Sequence, residues 1–221
     1  FTPSPDGDEN LLREGVPQEK IHRVGNIMIH SLVSILAKID RDHQCRIVRQ
    51  FGVETGRYVL VTLHRPSNVD ERSGLEQILR YLRQLSTQTP VIFPIHPRTR
   101  KNIETLGLDA LSDDKLRIVD PVRYREFITL ERNARFILTD SGGIQEETTY
   151  WGLPCLTLRP NTERPITITE GTNELVDMSN IEEHTTKILA GRWKQGKVPA
   201  LWDGRTAERI AKIVGEYMTD R

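Results

Sequence analysis

The sequence predicts a doubly wound α/β domain, on three observations. Short runs of Val, Ile and Leu recur, each followed by a polar turn and then an amphipathic stretch. The runs lack a polar face, as strands buried on both sides of a parallel sheet do. Gly, Pro, His and Arg gather just after the runs, where such sheets collect their ligands.

Taken in order, Asp8 to Glu14 reads as a helix, Ile21 to Val24 as a short extended stretch, and Asn26 to Ala37 as an amphipathic helix. Tyr58 to Leu63 is the first strand. Ser73 to Leu85 follows with helical spacing at Leu75, Ile78, Leu79, Leu82 and Leu85. Val91 to Ile95 is the second strand and Arg98 to Leu106 its helix. Leu116 to Val119 is the third, followed by a helix over Tyr124 to Arg132. Arg135 to Thr139 is the fourth strand, and a helix covers Ile144 to Tyr150. Pro154 to Leu158 is the fifth, and Arg205 to Tyr217 a closing amphipathic helix with Ile210, Ile213 and Val214 on one side. The cluster Asp109, Asp113 and Asp114 reads as a solvated loop.

The 221 residues suffice for one large domain or two small ones. Lys+Arg and Asp+Glu are both 31, so no long-range field draws nucleic acid or an anionic membrane. Any anion site must be local. Cys45 and Cys155 form neither a metal-ligand spacing nor a disulfide framework, which reads as cytoplasmic. His22, His30, His43 and His184 have no partners that suggest a metal, and neither metal nor cofactor is expected. No apolar run approaches the roughly 20 residues of a membrane span. The first residue is Phe, so the chain reads as cut from a longer one.

Three strand ends carry the candidate chemistry. Asp140-Ser141-Gly142-Gly143 joins the fourth strand to its helix. Two glycines let a phosphate approach the backbone, and the helix start offers unpaired N–H groups and a positive dipole end. Ser141 can cap the helix or donate to a phosphate oxygen. Glu147 lies one turn above Gly143, placed to accept from ribose hydroxyls. The plainer reading is a capped helix after a glycine turn, since such a turn alone is a weak signal. His64-Arg65 offers an acid near neutral pH and a phosphate partner; the plainer reading is a histidine satisfied at a strand end. His96-Pro97-Arg98 repeats the pairing one strand on. Arg164 either reaches the same phosphate or pairs with Glu163 on the surface. Phe127 either stacks on a base or belongs to the core.

In combination these motifs resemble the non-hydrolysing UDP-N-acetylglucosamine 2-epimerases. The resemblance rests on Leu63-His64-Arg65-Pro66-Ser67-Asn68-Val69-Asp70, His96-Pro97-Arg98-Thr99, Leu138 through Glu147, and Asn161-Thr162-Glu163-Arg164-Pro165 through Asn173, in that order. Ser67 stands where many members carry Glu. The resemblance implies the second half of a GT-B-type fold of two Rossmann-like domains. Residues 1–25 would then be the tail of the first domain, 26–204 the UDP-binding domain and 205–221 a C-terminal helix. It further implies an active-site role for His64, diphosphate and ribose contacts from Ser141, Gly142, Gly143 and Glu147, and contacts to UDP from Arg164 and to uracil from Phe127. With the paired basic residues Arg65 and His96, these are the expected UDP-sugar contacts. The implied reaction converts UDP-N-acetylglucosamine to UDP-N-acetylmannosamine by elimination and re-addition of UDP. The family is usually dimeric, so a homodimer is expected at full length. The carboxylates that move the C2 proton would lie in the missing first half, so this chain is expected to bind UDP weakly and turn over little. A hydrolysing epimerase, a GT-B glycosyltransferase and a non-catalytic binding module are the alternatives.

Overall fold

The computed structural model describes residues 1–108 and 115–219. The aspartate cluster at 109–114 therefore lies outside the described residues. Six strands alternate with helices along the chain. The first segment holds α1 (Pro5–Arg13), a single 3₁₀ turn (Gln18–Lys20), α2 (Ile27–Leu36) and α3 (Arg41–Gln50). Then come β1 (Val59–Thr62), α4 (Pro66–Val69), α5 (Arg72–Ser86), β2 (Val91–Pro94), α6 (Pro97–Thr105), β3 (Leu116–Val119) and α7 (Tyr124–Asn133). The second half runs β4 (Phe136–Thr139), α8 (Gly142–Trp151), β5 (Cys155–Leu158), α9 (Ile166–Thr169), β6 (Asn173–Val176), α10 (Ile181–Leu189) and α11 (Thr206–Thr219).

The strands form one sheet in the order β3-β2-β1-β4-β5-β6, every pair parallel. Alternate side chains of each strand feed two cores, as the two-residue period requires. Val59, Val61, Val91, Phe93, Phe136 and Leu138 point to the face covered by α5, α6 and α10. Leu60, Ile92, Ile137 and Cys155 point to the face covered by α3, α7 and α8. The five apolar positions predicted for α5 are all buried there. A third cluster, around Ile29, Leu32, Ile128, Ile166 and Trp202, fastens α2 behind α8. The expected extended stretch at Ile21 to Val24 is a single bridge from Arg23 to Thr2.

Beyond the 3₁₀ turn and the one-turn helices α4 and α9, the structure adds three larger elements to those expected from the sequence. Helix α3 escapes because its ten residues are mostly polar, with only Ile47 and Val48 buried. Strand β6 opens with Asn173-Glu174 and so lacks an apolar run. Helix α10 starts with two glutamates and buries only Ile181, Thr185 and Ile188.

Strand β6 is held by a buried polar chain. Thr157 Oγ1 donates to Asn173 Oδ1 at 2.6 Å, and Asn173 Nδ2 donates to Thr167 Oγ1 at 3.2 Å and to Gln145 Oε1 at 3.3 Å. Thr162 Oγ1 donates to the same Gln145 oxygen at 2.6 Å. The loop before β6 is correspondingly tight. A Cβ on Gly171 would sit 2.4 Å from Thr149 Oγ1 and 2.5 Å from Thr167 O, whereas one on Gly142 would meet nothing within 4 Å. Gly171→Ala should therefore destabilise the fold by about 1–3 kcal/mol, the usual range for overpacking. Gly142→Ala should change stability by less than about 0.5 kcal/mol. Thermal denaturation of the two variants checks the contrast.

Candidate functional site

Strands β1 and β4 are neighbours, yet their following loops lead away to opposite halves of the sheet. This is the switch point where a doubly wound sheet opens a crevice at its carboxyl edge. The register pairs Thr62 with Thr139, so the loops beginning at Leu63 and Asp140 leave side by side. Asp140 is fully buried between them. Its carboxylate accepts from the backbone N–H of His64 at 3.0 Å, from that of Arg65 at 2.8 Å, and from Asn68 Nδ2 at 3.1 Å. His64 Nδ1 lies 2.9 Å from its other oxygen. Arg65 Nε returns a bond to the Asp140 carbonyl at 3.0 Å, and Asn68 Nδ2 also reaches Leu158 O at 3.0 Å. One carboxylate thus joins the ends of β1 and β4, and Asn68 extends the grip to β5.

Burial works to raise the pKa of Asp140, but the bonds from His64, Arg65 and Asn68 outweigh it and hold the group below the usual aspartate value. The hydrogen bond to Asp140 in turn raises the pKa of His64 above 6.5, against a smaller lowering by burial and by Arg65. With Nδ1 taken by the carboxylate, Nε2 is the nitrogen left for a ligand. The two imidazoles expected at adjacent strand ends do meet, His64 and His96 having centroids 5.9 Å apart. His96 caps α6, its Nδ1 accepting from Arg98 N at 3.2 Å.

Next to the clasp, α8 begins at Gly142, with Ser141 at its N-cap. The Ser141 side chain makes no capping bond; its backbone N–H donates to Thr139 Oγ1 at 3.0 Å. Ser141, Gly142 and Gly143 are all half-buried, and a Cβ on Gly143 would meet no atom closer than 3.9 Å. Neither glycine needs a left-handed backbone. Their lack of side chains serves instead to leave the tip of α8 open, with N–H groups that a helix start cannot satisfy internally.

Glu147, one turn on, is only 3% exposed, more enclosed than the sequence suggests. The Tyr124 hydroxyl on α7 donates to it at 2.6 Å. Burial raises its pKa, against the lowering effects of Tyr124 and Glu131. Phe127 is half-buried, and both readings of it hold in part. It packs on the core face of α7, and it lines a cavity of about 200 Å³ with Thr62, His64, Ile95, His96 and Pro121. This cavity opens at the carboxyl ends of β1 and β2.

The arginines depart from expectation. Arg164 pairs with neither a free site nor Glu163: its Nε lies 2.8 Å from Glu146, a buried residue of α8. The Glu163 carboxylate is instead gripped by Arg159 at 2.7 and 2.8 Å, which holds its pKa down to about 2, and Arg65 stands 3.7 Å away. Arg65 is thus already engaged by Asp140 O and Glu163. The reason is local electrostatics: three guanidinium groups crowd one edge, and two carboxylates within reach take them up, Glu146 facing Arg164 and Glu163 shared by Arg159 and Arg65. Asp140 and Gln145 belong to the segment expected to bind the nucleotide but carry no individual role in the sequence, and Asn68, Tyr124 and Glu131 carry none at all. A buried Asp directly after an apolar strand and before Gly-Gly was the available signal for the first of them. Among the described residues no group of three or more His, Cys, Asp or Glu side chains is placed to hold a metal ion. No described helix is long and apolar enough to cross a membrane.

Comparison with known proteins agrees with this geometry. A family model for UDP-N-acetylglucosamine 2-epimerase matches residues 1–215. The UDP-N-acetylglucosamine 2-epimerase of Methanocaldococcus jannaschii is 39% identical, the match covering 98% of this chain and 61% of that protein. A crystal structure of that organism's UDP-GlcNAc 2-epimerase in complex with UDP-GlcNAc and UDP superposes with a TM-score of 0.79 at 36% identity, over 98% of this chain and 60% of that one. The UDP-2,3-diacetamido-2,3-dideoxy-D-glucuronate 2-epimerase of Pseudomonas aeruginosa is 32% identical over 98% of this chain and 59% of its own length. This chain spans about 60% of the length of these relatives. With nearly every residue matched, and with the switch-point clasp and open helix tip in place, the chain belongs to the UDP-N-acetylglucosamine 2-epimerase family.

Proposed function

We propose that this chain is the UDP-binding part of a UDP-N-acetylglucosamine 2-epimerase. The observation that carries the reading is the open tip of α8 beside the His64–Asp140 pair, at the sheet's switch point. The diphosphate lies on the N–H groups of Gly142 and Gly143 and on the Ser141 hydroxyl. The ribose meets Glu147, and the base occupies the cavity beside Phe127 and His96. Residues 1–25 and 205–221 flank this nucleotide domain, which spans 26–204, and the whole enzyme acts as a homodimer. The arginines at this edge are paired with carboxylates, so the dipole end of α8 and a protonated His64 supply the local positive charge. Arg164 reaches UDP only if its pairing with Glu146 is shared.

The reaction inverts C2 of the sugar. A base removes the C2 proton while the C1–O bond breaks, and the electron pair departs with the phosphate oxygen of UDP. UDP then adds back to C1 as a proton returns to the opposite face of C2. His64, kept protonated by Asp140, stabilises the departing diphosphate through Nε2. The Asp140 carboxylate fixes the tautomer by occupying Nδ1, as a buried acid does for a general-acid histidine. The carboxylates near the α8 tip are committed elsewhere: Asp140 to the clasp, Glu146 to Arg164 and Glu163 to Arg159. The base for C2 therefore comes from outside these residues. The names of the relatives share a 2-epimerised sugar nucleotide and differ in the hexose, which fits a nucleotide-binding role for this segment.

Calorimetric titration tests the site. UDP should bind far more tightly than uridine, and Ser141→Ala combined with Gly143→Val should abolish the difference, because a β-branched side chain blocks approach to the helix tip. Equal affinity for UDP and uridine would sink the phosphate assignment. Epimerase assay of the 221-residue chain alone should show little or no turnover. The clasp predicts a pH dependence of stability. His64 has its pKa raised on folding, so its contribution is fully present below about pH 6.5 and is lost as pH rises through the raised value. Asp140 has its pKa lowered, so its share is present above about pH 3.8 and is lost as pH falls through the lowered value. The melting-temperature advantage of wild type over His64→Gln should accordingly shrink as the pH is raised from about 6 to 9. An advantage constant across that range would contradict the ion pair.

A further inference from the structure

Behind Glu147 lies a second carboxyl group that the proposed reaction does not use. Glu131 sits one turn from the end of α7 and is fully buried. Its two oxygens find no partner while both carboxyl groups are ionised, since each is then only an acceptor; the Glu147 carboxyl lies within hydrogen-bond reach once one of the pair carries a proton, and Glu131 has no ion pair among the described residues. The groups facing it come from three elements. Tyr124 lies on α7 itself, seven residues earlier; α8 presents the Glu147 carboxyl and the Trp151 indole; β5 presents the Cys155 thiol. Arg132 lies over the Trp151 ring, 5.2 Å from its centroid, and Lys194 acts on Cys155. Two carboxyl groups thus face each other in a dry interface between α7 and α8. Both cannot be charged there, because burial and mutual repulsion each disfavour a second ionisation.

The pair is not symmetric. Glu147 also receives the Tyr124 hydroxyl, 2.6 Å away, and has a little surface to solvent. Glu131 has neither advantage, and burial followed by repulsion from Glu147 pushes its pKa well above the ordinary 4.5. Burial also pushes the Tyr124 hydroxyl far up, with Glu147 adding to the effect, so that this group remains a donor. The negative charge therefore belongs to Glu147 and the retained proton to Glu131.

We propose that Glu131 is a positioning residue: its neutral carboxyl, together with the Tyr124 hydroxyl, holds the Glu147 carboxylate in the orientation that accepts a ribose hydroxyl. This rests on the reading of Glu147 as the ribose acceptor. A Glu131→Gln variant keeps a neutral donor in the same place. A Glu131→Met variant keeps the volume and removes the donor.

The test compares wild type with both variants in two measurements. The first is calorimetric affinity for UDP and for its dideoxy analogue, which lacks the ribose hydroxyls. Glu131→Gln should retain the wild-type preference for UDP, and Glu131→Met should lose it by about tenfold, the scale of one hydrogen bond to a charged group. Equal preference in Gln and Met variants would show that the side chain only fills space, and would overturn the proposal. The second is the melting temperature without ligand from about pH 5 to 9. Stability tied to the raised Glu131 pKa is fully present below about pH 4.5 and is lost as pH rises through the folded value. Wild type should therefore lose stability relative to Glu131→Gln across this range. Parallel curves would mean that no proton is retained, and would likewise overturn the proposal, even if the Met variant fails to fold. Should wild type show no preference for UDP over the dideoxy analogue while the curves diverge, the ribose assignment itself fails and the positioning role falls with it. Divergent curves together with a Gln-retained, Met-lost preference support it.

Discussion

The architecture of the site depends on one buried carboxylate at the place where the sheet changes direction. Asp140 is enclosed at the end of β4, and two backbone N–H groups and a side-chain amide from beyond β1 converge on it. A buried carboxylate without partners would be costly, by several kcal/mol in ordinary proteins. Its partners are drawn from the neighbouring loop, so satisfying the charge also fixes where that loop goes. His64 is placed beside the tip of α8 as a consequence. The same bonds set its charge state, because the group that fixes its position also favours its proton.

Much of this organisation was legible in the sequence. Strands β1 to β5 are mostly apolar, with Arg117 in β3 as the one charged residue, so the alternation and the parallel sheet followed directly. The open helix tip was also readable, because Gly-Gly after a strand has a local meaning. The elements that stayed hidden share a physical cause. Strand β6 is held by hydrogen bonds among Thr157, Asn173, Thr167 and Gln145 in place of apolar packing, and such polar chains leave no periodic trace. Helix α3 is mostly polar and shows only two buried positions.

The functional residues divide along the same line. Residues whose position follows from their own chain neighbours, such as Ser141, Gly142 and Gly143, stand at the start of a helix as the sequence implies. Those whose role depends on a distant partner are not implied in that way. Asp140 meets the His64 backbone across 76 positions of sequence, and only the pairing of β1 with β4 reveals the contact. Arg164 was expected to pair with Glu163 or to lie free for phosphate, but Glu146 lies closer once α8 and the loop before α9 are packed together. Glu147 shares a helix side with Gly143, as its spacing implies, but the folded chain encloses it against α7.

The internal pairing of the guanidinium groups has a consequence for selectivity. Arg164 faces Glu146, and Arg159 and Arg65 share Glu163, so the three guanidinium groups leave the rim of the crevice with one positive charge in place of three. In the proposed site, an anion would meet the imidazole of His64 and a bundle of oriented dipoles whose reach ends within a turn of the helix. Such a receptor is felt only at contact distance, well inside the Debye length of roughly 8 Å at physiological ionic strength. Small inorganic anions crowd the cell, and a rim with unpaired arginines would collect them. A quiet rim leaves occupancy to a guest whose other parts already fit the neighbouring walls.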